Sequence, residues 1–155
     1  MDLKEHFPRV CAEIKAAGFE GVESFAGVIL EAKGELSVRQ GLKATGLAYP
    51  AAYVGGHFHK PAQRDEAVRE AVRAARKLVE FGGRLLLVGP NAEKGRGKTP
   101  EELAVEAPAI AELAEQLAPL GVRIAIHNHV PELLNHAAEL EAILKATPPE
   151  RVGLN

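Results

Sequence analysis

The sequence predicts an α/β fold of about five parallel strands, each joined to the next by a helix. Two observations carry this. Four times along the 155 residues, a stretch with helical spacing of apolar residues is closed by glycine and followed at once by a short apolar run. Those runs are not cleanly amphipathic, as expected of strands covered by helices. The closing glycines are Gly18, Gly46, Gly82 and Gly121; glycine just past a helix end takes the left-handed conformation without a Cβ penalty. Their spacings of 28, 36 and 39 residues are uneven, which speaks against a solenoid of fixed period.

In the first helix Phe7, Cys11 and Ile14 fall on one face. Cys11 is the single cysteine, which excludes an internal disulfide and reads as a small core residue. Strands are expected within residues 19–23, 47–54, 85–88 and 122–126, with a fifth at 151–155. Between them, Val68, Val72, Ala75 and Val79 form one helical stripe with Leu78 beside it. Leu103, Ala107, Ile110, Leu113, Leu117 and Leu120 form another, bent at Pro108, and Leu133, Ala137, Leu140 and Leu144 a third. Thr99-Pro100-Glu101-Glu102 is a helix start: a capping hydroxyl, proline at the first position, acids in the first turn. Five such units suit either an open doubly wound sheet or most of a (β/α)8 barrel, which needs ~250 residues when complete.

Composition narrows the function. A net charge of −2 and 5% aromatic residues without tryptophan give nothing that would attract nucleic acid or an anionic membrane. No signal-like apolar run opens the chain and none approaches the ~20 residues of a membrane span, so a cytoplasmic protein is expected.

The chemistry concentrates at Val122-Arg-Ile-Ala-Ile-His127-Asn-His129. Alternate positions of an extended strand face one way, so both imidazoles are expected at the carboxyl end of a strand, where α/β proteins gather ligands. They could hold a metal or contact a substrate. Glu132, at the start of the following helix, is expected either to complement the helix dipole or to orient one of these histidines. Glu23 closes the first strand and His57 follows Gly55-Gly56; both are expected at the same mouth, with His59 exposed beside Lys60-Pro61. Lys94, Arg96 and Lys98, beyond the third strand, could attract a phosphate or carboxylate. The segment 92–99 also satisfies a permissive P-loop pattern, but the strand ends too early and Pro100 removes an amide that phosphate would need.

Three stretches resemble the sugar phosphate isomerase/epimerase family: AAGFEGVE at 16–23, GVRIAIHNHVPE at 121–132 and PERVGLN at 149–155. That resemblance implies the xylose-isomerase-like barrel, here a partial (β/α)8 barrel supplying roughly strands two to six, with residues 1–155 as one incomplete domain. It also implies metal-assisted isomerisation or epimerisation of a small sugar, keto-sugar or sugar phosphate. Such a reaction moves a proton beside a carbonyl, with acidic side chains as base and acid and a divalent metal (Mn, Zn or Mg) stabilising the enediolate. The implied assignment makes Glu23, His127, His129 and Glu132 catalytic, His57, Lys94 and Arg96 substrate-binding, and His127 a metal ligand. His127 stands where family members carry an acidic ligand, and their next ligand, an aspartate, lies just beyond the Val152–Asn155 segment. An incomplete set of ligands leaves room for a non-catalytic fragment or an assembly subunit. The exposed edges of a partial barrel would favour a homo-oligomer. A zinc hydrolase built on the His-x-His pairs is a third reading.

Overall fold

The computed structural model describes residues 3–155. In chain order the elements are α1 (Leu3–Ala16), β1 (Ser24–Phe25), α2 (Ala26–Leu30), α3 (Ala32–Thr45), β2 (Ala51–Gly56), α4 (Pro61–Glu80), β3 (Leu85–Pro90), α5 (Pro100–Leu117), β4 (Arg123–Ile126), α6 (Val130–Ala146) and β5 (Val152–Leu154). A single 3-10 turn, Ala118–Leu120, extends α5. All five strands are parallel, in the spatial order β1-β2-β3-β4-β5. Among the described residues β1 and β5 do not meet, so the sheet is an open segment of barrel wall, as five βα units require.

The register separates two faces. Ala52, Leu86, Ile124 and Val152 stand side by side and join the large core under the helices, together with Val88, Ile126, Leu78, Ile110 and Leu113. The next row, Phe25-Tyr53-Leu87-Ala125-Gly153, points to the concave side, where Ala51, Leu87 and Ala125 form a smaller cluster with Tyr53 and Leu85. Small residues on that side leave room at the centre of curvature. His127 follows Ala125 by two, and its N–H donates to Val88 O at 2.8 Å, prolonging the β3–β4 ladder by one residue.

The helix ends follow the sequence reading. Gly18, Gly46, Gly82 and Gly121 have φ of 88°, 69°, 85° and 65°, and Thr99 and Glu102 form a reciprocal capping box at α5. Cys11 is fully buried, and burial raises its thiol pKa. Pro108 lies on the exposed side of α5, and the carbonyl it leaves without a helical N–H belongs to Ala104, also an exposed residue.

Three expectations are corrected. Residues 19–23 form no strand. Gly21 makes a lone bridge to Ala48, and pairing resumes at Ser24–Ala52 with one extra residue on the second chain segment. Pro50 lies inside that extra stretch and has no N–H to give the ladder, so the second strand starts at Ala51. On α4 the buried stripe is Ala67, Val68, Ala71, Ala74, Ala75 and Leu78, with Val72 and Val79 at its margin. Small residues there let the helix lie close on the sheet. On α6, Leu133 and Leu144 are exposed, while Leu140 and Ile143 are buried. The reason is a left-handed turn at Asn135, His136 and Ala137 (φ 52°, 61° and 61°), which breaks the helical phase.

A buried ion cluster holds the β3–α5 loop. Lys98 donates to Glu106 Oε2 at 2.6 Å and Glu139 Oε1 at 2.8 Å, all three side chains being 5% exposed or less. Burial, reinforced by Glu139, pushes the Glu106 carboxyl up to about 8 against the pull of Lys98. Lys98, expected to attract a phosphate or carboxylate, is instead an interior strut, because two carboxyl groups from α5 and α6 satisfy it.

Candidate functional site

The concave face opens at the carboxyl ends of the strands into a cavity of about 410 Å³. Phe7, Val10 and Ile14 of α1 form its apolar floor with Leu87, while Glu23, Ser24, Phe25, Tyr53, His127 and His129 form its rim. Four rings stand in sequence around it. Phe25 and Tyr53 meet edge to face with centroids 5.4 Å apart, Tyr53 and His127 at 5.3 Å, and His127 and His129 at 4.6 Å. Tyr53 reaches this place because the neighbouring strand carries Gly89: a Cβ there would stand 2.2 Å from the tyrosine Oη. Burial raises the Tyr53 phenol, and the charge of Glu132 adds to it.

The two histidines face each other, Nε2 to Nε2, at 3.3 Å. Asn155 holds the far side of His127, with Nδ2 3.0 Å from Nδ1. An amide nitrogen donating there puts the His127 proton on Nε2, where it donates to His129. Turning the amide over would place the proton on Nδ1 and free both Nε2 lone pairs. Glu132 is 3% exposed, and its Oε2 accepts the main-chain N–H of His129 at 2.7 Å, fixing the bend between β4 and α6. Ser24 and Tyr49 share a 2.6 Å hydrogen bond behind the rim.

Glu23, His127 and His129 thus come together around one cavity, and Glu132 sits directly behind it. His57 lies elsewhere: it lines a second depression with Gly55, Gly56 and the first turns of α4. Lys94 is exposed, and Arg96 forks onto Glu102 at 2.6 and 2.7 Å. His59 corrects the sequence reading. It is 1% exposed, and its Nε2 lies 2.8 Å from Glu93 Oε1. The β2–α4 and β3–α5 loops close over it, and burial lowers its pKa against the opposing effect of Glu93. Tyr53, Phe25 and Asn155 escaped the sequence reading. Alternation along 51, 53 and 55 was the available signal for Tyr53; Asn155 meets His127 only through the β4–β5 pairing.

The sequence matches the family described as xylose isomerase-like TIM barrel over residues 11–155. The chain belongs to that family. Among solved structures it is similar to a 3-keto-D-glucoside 4-epimerase from E. coli, with TM-score 0.75 and 17% identity over 97% of this chain and 62% of that one. A xylose isomerase-like TIM barrel protein from Mycobacterium smegmatis in complex with magnesium gives TM-score 0.74 and 13% identity over 98% and 56%. A D-allulose 3-epimerase from Methylomonas sp. in complex with D-allulose gives TM-score 0.76 and 17% identity over 95% and 55%. At these identities the likeness is one of fold. The chain spans between about half and two thirds of the length of these proteins. No curated protein matches the sequence significantly. Among the described residues no helix is long and apolar enough to cross a membrane.

Proposed function

We propose that this chain provides the mouth of a sugar isomerase or epimerase that works with a divalent metal. The observation that carries the reading is the 3.3 Å between the Nε2 atoms of His127 and His129. Two nitrogens each about 2.0–2.1 Å from a tetrahedral ion are separated by about 3.3 Å, so the pair is already spaced as two ligands of one metal. His127 and His129 would hold the ion through Nε2 with the Asn155 amide turned over, its oxygen accepting from Nδ1 of His127. When bound, the metal would polarise a carbonyl oxygen and offset charge that develops on it.

The remaining chemistry falls to the side chains around the cavity. Glu23 is exposed on the rim and has the carboxylate that would take a proton from the carbon beside the carbonyl and return it, on the same face, to the former carbonyl carbon, which isomerises the sugar; epimerisation would take a second acid on the opposite face. Tyr53 and Phe25 present ring surfaces to the C–H face of a sugar. Glu132 holds the bend that aims His129. His57, Lys94 and Arg96, on loops at the same end of the sheet, are assigned to an outer rim for further hydroxyls or a phosphate, Arg96 leaving Glu102 to reach it. Sugars are the favoured substrate class because two of the similar structures are named as sugar epimerases.

The test is a calorimetric titration with Mn²⁺ and Zn²⁺ followed by D-fructose and D-allulose, repeated on His127→Ala/His129→Ala. One equivalent of metal lost in the variant, with sugar binding that depends on that equivalent, supports the reading; metal binding indifferent to both histidines would sink it.

A second reading concerns assembly. Both outer strands carry a large exposed apolar side chain, Phe25 on β1 and Leu154 on β5, 60% and 54% exposed. Pairing of these edges would make the chain a subunit of a homo-oligomer. Light scattering at micromolar concentrations checks it: a monomer throughout would dismiss the edge pairing.

A further inference from the structure

We infer that His59, Glu93 and Glu102 form a second site for a divalent transition-metal ion, outside the cavity and between the β2–α4 and β3–α5 loops. One ligand atom from each of the three lies within 4.8 Å of the others. The set, one imidazole and two carboxylates, suits Zn²⁺ or Mn²⁺.

The state of His59 points to a ligand independently of the acids. Its side chain is fully buried, yet Nδ1 has no hydrogen-bond partner and stands 3.6 Å from Oε2 of the buried Glu106. Nε2 donates to the Glu93 carboxylate, so the Nδ1 lone pair faces an oxygen, a poor contact for a buried ring. An ion taken at Nε2 requires the imidazole proton on Nδ1, where it faces Glu106. That produces the carboxylate–histidine–metal arrangement in which a second carboxyl orients the ligand.

The cationic partners of the two carboxylates are the competitors. Lys60 lies 2.9 Å from Glu93 Oε1, and Arg96 forks onto Glu102 and stands 3.8 Å from Glu93 Oε2. Both are exposed by more than 40%, so both can turn out to solvent while the half-buried carboxylates close the remaining distance. The ion would then clamp the two loops to the start of α5 in place of two flexible side chains.

The experiment titrates the chelator-treated chain with Zn²⁺ and Mn²⁺ by calorimetry and follows Co²⁺ by its visible absorption. Glu93→Gln/Glu102→Gln, with folding checked by circular dichroism, is expected to weaken binding at this site at least tenfold. Lys60→Ala/Arg96→Ala, which keeps every ligand and removes both competitors, is expected to tighten it at least threefold. His127→Ala/His129→Ala separates this site from the one at the mouth and is expected to leave it unchanged. Absence of binding to the wild-type chain, wild-type affinity in the glutamine variant, or no gain without Lys60 and Arg96 would each overturn the inference.

Discussion

Lys98 and Glu139, 41 residues apart in sequence, meet at 2.8 Å inside the protein. Glu139 comes within reach just after the left-handed turn at Asn135–Ala137, where α6 resumes on a new phase. The strained turn and the buried ion pair are therefore two ends of one device, which ties the β3–α5 loop to the last helix.

Replacing Lys98 with methionine leaves Glu106 and Glu139 buried without their cation. Breaking such a cluster costs roughly 3–5 kcal/mol. Urea denaturation of Lys98→Met should show a loss in that range, and adding Glu139→Gln should recover a substantial part. A loss below about 1 kcal/mol would mean that the cluster is solvated.

The turn in α6 gives a test whose sign is diagnostic. A non-glycine residue in the left-handed region costs about 1–2 kcal/mol, whereas glycine inside a regular helix loses about 1 kcal/mol. Ala137, at φ 61°, should therefore become more stabilising as glycine, by about 1 kcal/mol in thermal or urea unfolding. Ala137→Gly would destabilise by a similar amount if α6 ran unbroken.

Tyr49 sets an alkaline limit. Burial pushes its phenol up to about 12, against the opposing hydrogen bond from Ser24, while an unfolded tyrosine titrates near about 10. Between these values the native state keeps a proton that the unfolded chain has lost. The contribution is thus fully present below pH of about 10 and falls away as pH rises toward 12, by about 2–3 kcal/mol in all. Urea midpoints across this range should drop in the wild-type chain and drop less in Tyr49→Phe, and phenolate absorbance of the native protein should appear late.

Gly89 keeps the place of Tyr53. A methyl group at that position would collide with the phenol and with ring atoms 2.8 Å away. Gly89→Ala should push the ring out of line with His127, cost about 1–3 kcal/mol of stability, and weaken any sugar binding at the cavity. The variant's tyrosine fluorescence and sugar titration would report the change together, and wild-type behaviour in both would show that the ring has another place to rest.

The parallel βα order was legible because local signals mark it: apolar periodicity, glycines with positive φ, and the Thr99 cap are written in neighbouring residues. The grouping of His127, His129 and Glu23 was legible for a similar reason, since each ends or follows an apolar run at the carboxyl side. What escaped depends on partners distant in sequence. Lys98 looks solvated until Glu106 and Glu139 arrive from two helices, and His59 looks exposed until Glu93 folds over it. The phase slip in α6 was hidden because its apolar spacing alone fits an unbroken helix. Tyr53 was passed over because its position at the rim depends on a missing side chain in another strand.

Strand order equal to chain order has a consequence for how this protein is made. Among the five described strands, each docks against the one synthesised just before it, with a helix arriving between them, so the pairing of each follows directly on its synthesis. Assembly can keep pace with emergence of the chain from the ribosome, and loop closures stay short at every step. The growing sheet always presents a fresh edge to the next strand, which orders the steps from first to last and limits the alternatives among which a nascent chain must choose.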